Sequence, residues 1–195
     1  MNRDPRITYA LSDGLANYQA LQVTSEKRMS HGLAFHLGYT WSHNIDTVGN
    51  DFGGGSGTPQ DIRCRRPCER GNSNFDTRHR FTLGSTYELP VFRGKGITHT
   101  LLGGWRINAS AMMQSGLPFN LGLNNSANTN GAGGSRPDRT GSGVLPADQR
   151  SLQRWFDSNA FAQPANGLFG NAARNVLYGP GRVNFDTSLF KDFNF

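Results

Sequence analysis

The chain is dominated by segments in which apolar and polar residues alternate, which is the period expected of β-strands. In residues 33–41 the odd positions are apolar or aromatic, and the even positions are small or polar. Residues 18–28, 80–89, 101–115 and 182–190 alternate in the same way. The sequence therefore predicts five strands, each with one apolar and one polar face.

The connections between these strands are of two very different lengths. Residues 29–32 and 90–96 predict short turns, because the first contains Gly32 and the second combines proline, glycine and basic residues. Residues 44–76 and 117–181 form two long loops, and we expect one short helix at about 147–155 in the second. Loops of this length are uncommon in a compact domain unless they are functional.

Two fold classes share this alternation. In a soluble β-sandwich the apolar face points inward, whereas in a membrane β-barrel it contacts lipid and the polar face lines the interior. The strand lengths and the alternation of short turns with long loops favour the barrel. Four aromatic residues at strand ends form a candidate interfacial girdle: Tyr18, Tyr39, Trp41 and Phe81. We therefore predict an all-β fold, an antiparallel up-and-down meander that forms an arc of a transmembrane β-barrel with two long outer loops.

Five strands are too few to close a bacterial outer-membrane barrel, which has an even number of strands and at least eight. The first residues, Met1 to Arg6, are not followed by an apolar stretch, so no signal peptide is expected. We interpret residues 1–195 as one partial barrel domain without a plug domain.

Composition narrows the possible classes further. The 25 glycines argue against a helical bundle, and no apolar run approaches the roughly 20 residues that a membrane-spanning helix needs. Lysine and arginine total 20 against 14 acidic residues, a net charge of +6. Because the arginines are scattered and form no stripe, we expect no nucleic-acid partner.

A series of short motifs resembles the late barrel strands of TonB-dependent outer-membrane receptors, most closely the Oar-like subgroup. Each motif is weak alone, but their order along nearly the whole chain is specific. They lie at residues 17–23, 26–28, 39–42, 76–81, 87–90, 103–105, 114–119, 136–137, 154–156, 169–171, 179–181 and 186–191. The chain thus resembles a fragment from the C-terminal part of such a barrel.

This resemblance implies a receptor or transport component of the cell outer membrane. The implied partners are outer-membrane lipid, the remaining strands and plug of the receptor, an unidentified transported ligand, and the TonB system through an N-terminal part that this sequence does not contain. The alternative left open is a soluble secreted β-sandwich that binds glycans or acts as an adhesin.

Candidate chemistry is concentrated in the first long loop. Cys64 and Cys68 form a candidate disulfide, which an exported loop would favour. Four arginines form a candidate anion-contacting loop, because arginine binds phosphate through two hydrogen bonds. They are Arg63, Arg65, Arg66 and Arg70.

No motif in the sequence indicates an enzyme, a cofactor or a metal site. Asp76, Arg78, His79 and Arg80 are close in sequence, but no nucleophile motif accompanies them. We interpret them as polar residues at the entry of a strand into the membrane interface. His43 and His79 flank the cysteine-containing loop, but zinc needs four ligands, so no metal is expected.

Overall fold

The structure, a computed structural model, describes residues 13–48, 59–91, 102–123 and 135–193. In chain order its strands and its helix are β1 (Ala16–Ser30), β2 (Leu33–Asp46), α1 (Arg65–Glu69), β3 (Gly71–Asn72), β4 (His79–Glu88), β5 (Trp105–Gln114), β6 (Pro118–Phe119), β7 (Asp138–Arg139), β8 (Phe161–Ala162), β9 (Leu177–Tyr178) and β10 (Arg182–Lys191). Three 3-10 turns lie at Ile62–Cys64, Ala147–Gln149 and Ser158–Ala160.

The five long strands form one sheet in the order β1-β2-β4-β5-β10. Each pairs with the next long strand along the chain, and the pairs β2–β4, β4–β5 and β5–β10 are antiparallel. The predicted five-strand meander is thereby confirmed.

The turn between β1 and β2 consists of only His31 and Gly32. Both residues have positive φ, 54° and 77°, as the type I′ turn of a two-residue hairpin requires. The turn therefore lies where it was predicted, within residues 29–32, and is two residues shorter than predicted. Of the second predicted turn, at 90–96, only Pro90 and Val91 lie among the described residues.

The chain divides into two compact units. The described residues within 18–44, 75–118 and 178–195 form the sheet unit, which contains the long strands. The described residues within 1–17, 45–74 and 119–177 form the loop unit. The predicted long loops at 44–76 and 117–181 thus fall almost entirely within the loop unit.

Strand register sorts the side chains of the sheet unit onto two faces. Leu37 lies opposite Leu83, which lies opposite Ala111, which in turn lies opposite Phe185. Residues two positions away along each strand share this face. The other members of this face are Leu33, Phe35, Tyr39, Trp41, Phe81, Ser85, Tyr87, Ile107, Ala109, Met113, Val183, Thr187 and Leu189, with His79, Trp105 and Lys191 at the strand ends.

The opposite face is small or polar along most of its length. Its central row is His36, Gly84, Ser110 and Asp186, each opposite the next. The other members of this polar face are Ala34, Gly38, Thr40, Arg80, Thr82, Thr86, Glu88, Arg106, Asn108, Met112, Gln114, Arg182, Asn184, Ser188 and Phe190. The predicted separation into an apolar and a polar face is confirmed for β2, β4, β5 and β10.

The apolar face of the sheet unit is not covered within that unit. Phe185 is 68% exposed and Val183 67%, and Ala111 is the only hydrophobic residue of the described sheet unit that is buried. A soluble sandwich would bury this face against a second sheet, whereas a barrel exposes it to lipid.

The loop unit has its own small apolar core. Leu145, Ala160, Ala172 and Leu177 are buried there. Phe156 packs against Phe119 and Phe161, with ring centroids 6.0 Å apart in both pairs.

The predicted helix at 147–155 is wrong. Only Ala147–Gln149 form a 3-10 turn, and Arg150 is extended, with φ −83° and ψ 135°. Arg150 donates from Nε to the carbonyl of Leu145 (2.8 Å), and the hydroxyl of Ser151 accepts from the backbone N–H of Arg154 (3.1 Å). Side chains that bond to nearby backbone groups in this way compete with helix formation.

Two other boundaries differ from expectation. The strand predicted to begin at residue 101 begins at Trp105, after Gly104, whose φ is +71°. A side chain on Gly104 would meet the carbonyl of Asp192, which limits this position to glycine. The first long loop contains α1 and β3, two elements that the sequence analysis did not identify. Among the described residues, no helix is both long enough and apolar enough to cross a membrane.

We predict that charge is tolerated on one face of β2 and not on the other. Leu37→Arg places a cation on the apolar face and should lower the free energy of unfolding in phospholipid vesicles by ~2–4 kcal/mol. His36→Arg, on the polar face of the same strand, is the matched control and should change it little. Denaturant titration of the full receptor that contains this chain, embedded in the vesicles, measures both values. Equal losses would contradict the assignment of the faces.

Candidate functional site

A buried ion pair joins the two long loops within the loop unit. Glu69, the last residue of α1, accepts from both terminal nitrogens of Arg136, at 2.7 and 3.1 Å. Both side chains are only 7% exposed. The Nε of Arg136 donates to the carbonyl of Ala172 (2.9 Å), and Nη2 also donates to that of Cys68 (3.2 Å). Each nitrogen of this guanidinium therefore has a partner, as a buried charge requires.

Gln60 adds a second link between the same loops. Its amide nitrogen donates to the carbonyl of Gly170 (2.9 Å), and its amide oxygen accepts from the backbone N–H of Arg136 (2.6 Å). Its own backbone N–H donates to Glu69 (2.9 Å). We call Gln60, Glu69 and Arg136 the loop clasp.

Gly170 allows the backbone of the second loop to fold tightly beside the clasp. A β-carbon at this position would collide with the carbonyl oxygens of Arg136 and Pro137. The backbone N–H of Ala172 donates to the carbonyl of Pro137 (3.0 Å). The sequence motifs at 136–137 and 169–171 are therefore contact partners.

A second buried ion pair joins Arg174 to Asp46, the last residue of β2. Arg174 also donates to the carbonyls of Asp46 (2.8 Å) and Glu69 (3.2 Å). The neighbouring Asn175 has a positive φ of 56°, and its amide donates to the carbonyl of Asn72 (2.7 Å). These contacts fix the segment that carries β3.

A cavity of about 340 Å³ lies beside the loop clasp. It is lined by Gln60, Asp61, Pro67, Cys68, Arg70, Arg136, Phe169, Gly170, Asn171, Ala172 and Ala173. Phe169 is half-buried and Arg70 is exposed. The cavity thus combines an aromatic wall, polar backbone and a cation, which suits a ligand with both apolar and hydrogen-bonding parts.

The described arginines of the candidate anion-contacting loop have different surroundings, and their role in contacting anions stays a prediction. Arg63 pairs with Asp61 (3.1 Å), and this hydrogen bond holds the pKa of the Asp61 carboxyl below its usual value. Arg66 donates to the backbone carbonyl of Asp13 (3.3 Å). The side chain of Arg65 lies outside the described residues. Of the three arginines of this set whose side chains are described, only Arg70 lines the cavity.

Cys64 and Cys68 form a disulfide in the structure, with their Cα atoms 5.4 Å apart. The bond connects the residue before α1 to the residue before Glu69. It therefore closes the short segment that presents Glu69 and the carbonyl of Cys68 to Arg136.

In the sheet unit, Asp76 is the centre of a polar cluster. Its buried carboxylate accepts from the backbone N–H of Asn44 (2.7 Å), from Nε of Arg78 (2.8 Å) and from the hydroxyl of Tyr178 (2.7 Å). Arg78 also contacts Nε2 of His43 (2.9 Å). The cluster fastens the segment after Trp41 to the segment that leads into β4, which explains the 76–81 motif as a structural one.

Three residues of the candidate girdle share the apolar face at the end of β2. Tyr39 lies opposite Phe81, and Trp41 lies opposite His79. The Tyr39 hydroxyl is 2.9 Å from Nδ1 of His79. Tyr18 lies near the start of β1 and is 60% exposed. A role of these residues at the membrane interface stays a prediction.

Sequence patterns did not indicate Gln60, Glu69, Arg174 or Tyr178, which complete these networks. Each is a single polar residue without a local motif, and its partners lie far away in sequence. Arg136, Gly170 and the Asp76 segment were singled out only as parts of motifs. Within the described ranges, no group of three or more histidine, cysteine, aspartate or glutamate side chains is placed to hold a metal ion.

We predict that removing one partner of the loop clasp strongly destabilises the loops. Glu69→Gln leaves the buried Arg136 without its counter-charge, which typically costs ~3–5 kcal/mol. Asp61→Asn removes a carboxylate from the exposed pair with Arg63 and should change loop stability little, because water screens exposed pairs. Hydrogen exchange of the loop amides in the folded protein measures both effects. Equal protection in the two variants would contradict the role of the clasp.

We also predict a loss of stability at high pH from Tyr178. Burial and its hydrogen bond to Asp76 raise the pKa of Tyr178 to about 12, from about 10 in an unfolded chain. Because the folded pKa is the higher one, this contribution is complete below pH ~10 and is lost as the pH rises toward 12. Between pH 10 and 12, the free energy of unfolding should fall less steeply with pH for Tyr178→Phe than for the parent protein. The exposed Tyr18→Phe should leave this pH dependence unchanged, and an identical slope in all three proteins would rule the effect out.

Comparison with known proteins supports the barrel. No curated protein and no solved structure matches the chain. A family model described as "Outer membrane beta barrel domain" matches residues 4–195, which is almost the whole sequence. Together with an antiparallel meander whose apolar face is uncovered, this match shows that the chain belongs to the outer membrane beta-barrel domain family and is a protein of the outer membrane.

Proposed function

We propose that this chain forms part of the barrel wall and the extracellular loops of a TonB-dependent nutrient receptor of the Oar-like kind. Its role in this proposal is to capture and pass on a ligand, and no chemical reaction is assigned to it. The resemblance of its ordered motifs to such receptors supports the finer assignment. The match to the outer-membrane barrel family supports the more general assignment to an outer-membrane barrel.

The observation that carries the proposal is the folding of both long connections into one compact unit. A simple structural barrel has no need for loops clamped by a buried ion pair and lining a cavity of about 340 Å³. Long, ordered loops in a β-protein are usually the parts that bind ligands. The loop clasp would hold the cavity in a defined shape, which lowers the entropy lost on binding.

The proposed partners follow from the two faces of the sheet. The apolar face contacts outer-membrane lipid, and the polar face looks into a wet interior shared with the plug and the remaining strands of the receptor. Energy would come from the TonB system acting on the plug. The ligand is a solute that enters the loop cavity, and no nucleic acid is proposed.

The test is accumulation of radiolabelled nutrient mixtures by cells that carry the full receptor in their outer membrane. We expect accumulation in a TonB-positive strain and its loss in a TonB-negative strain. Phe169→Ala and Arg70→Ala should reduce accumulation, because both side chains line the cavity.

The matched control is Arg154→Ala, which removes an exposed arginine of the same unit that pairs with Asp157 outside the cavity lining. This variant should accumulate label like the parent, at the same level of receptor in the membrane. Equal accumulation with and without TonB, or equal loss in all three variants, would contradict the proposal.

A further inference from the structure

Two arginines on the polar face of the sheet lie on the same rung. Arg80 of β4 and Arg182 of β10 both pair in register with Gln114 of β5, one from each side. Thr40 of β2 lies opposite Arg80 and completes the rung. Strands are about 4.8 Å apart, so the two arginine backbones are separated by roughly 10 Å. We call Thr40, Arg80, Gln114 and Arg182 the arginine rung.

Neither guanidinium of the rung forms an ion pair with a described residue. Both residues are exposed, and the one side-chain contact of Arg80 is a weak one, 3.7 Å from the sulfur of Met112. The nearest carboxylate on this face along β10 is Asp186, four residues from Arg182 and roughly 13 Å away. Its nearest polar partner is the hydroxyl of Ser110 (3.5 Å).

The third arginine on this face shows the contrast. Arg106 lies near the other end of the sheet, directly opposite Glu88. It pairs with Asp192 (3.4 Å), and its guanidinium lies 5.9 Å from the ring centre of Phe190. Its charge is therefore matched within the protein, whereas the two charges of the arginine rung are not.

Two like charges on neighbouring sites repel each other, and the repulsion is stronger in a narrow interior than in open water. The neutral members of the rung, Gln114 and Thr40, can each donate a hydrogen bond. Arg80, Gln114 and Arg182 lie on three adjacent strands and can therefore donate to one acceptor held between them. An anion with several oxygens would relieve the repulsion and accept these donors.

We propose that the arginine rung is an anion-binding site on the interior face of the barrel, and that it recognises phosphate or carboxylate groups of solutes. Because long arginine side chains can converge, one phosphate-sized group can be held between the two guanidiniums. The proposal rests on the barrel family and not on nutrient uptake. It also predicts that solutes carried past this face are anionic.

The test is calorimetric titration of inorganic phosphate, at low ionic strength, into the full receptor that contains this chain, folded in zwitterionic nanodiscs. Arg80→Gln and Arg182→Gln should each weaken phosphate binding about tenfold, because each removes a charge-assisted hydrogen bond. The double variant should show no measurable binding. The conservative pair Arg80→Lys with Arg182→Lys keeps the charge and should retain an intermediate affinity.

Arg106→Gln is the matched control, since it removes an arginine from the same face that already has a partner. It should keep the parent affinity within about twofold. Absence of phosphate binding in the parent, or an equal loss in Arg106→Gln, would overturn the proposal. Circular dichroism of each variant shows whether the sheet is intact.

A second experiment distinguishes a site for solutes from a site for lipid headgroups. If lipid headgroups fill the rung, phosphate affinity will fall when the nanodiscs contain phosphatidylglycerol, and that result would assign the rung to lipid and reject a solute site. Unchanged affinity supports the solute site. Phosphate binding does not require TonB, so a failure of TonB-dependent accumulation and a failure of this proposal are independent results.

Discussion

The cross-strand register is the constraint on which the sheet unit depends. Because side chains alternate between faces, a slip of one residue in any pair would exchange the lipid-facing and interior sets of that strand. The pairing of Leu37 with Leu83 and of Leu83 with Ala111 places the large apolar side chains of these strands on one face, with the exception of Met112. The two-residue turn at His31 and Gly32 fixes where the hairpin of β1 and β2 begins.

The loop unit solves a different physical problem. Its segments contain few apolar residues, so a hydrophobic core alone gives them little stability. Most of their buried side chains are polar, and these are joined by the pairs Glu69–Arg136 and Arg174–Asp46. Buried pairs of this kind contribute less to net stability than to specificity, because their desolvation offsets much of their attraction. For a loop assembly, a single defined arrangement is the more useful property.

The strands could be predicted from sequence because their signal is local. Alternation over ten residues identifies an extended segment with one apolar face, whatever lies elsewhere in the chain. The loop contacts could not be predicted in this way. Arg136 and Glu69 are 67 residues apart, and no residue near either one identifies the other. The prediction of a helix at 147–155 was wrong for a third reason. There, the composition permits a helix, but Arg150 and Ser151 satisfy nearby backbone groups in an extended form.

The arginines show why residue type alone does not identify a functional site. Arg136 and Arg174 are buried, and their hydrogen bonds join backbone segments, so they act within the fold. Arg106 is half-buried and balanced by Asp192. Arg80 and Arg182 have the same chemical group, yet register places them together on a polar face without a counter-charge among the described residues. An arginine that already has a counter-charge in the protein contributes little to binding an anion. Two neighbouring arginines without a counter-charge favour binding of an anion from solution.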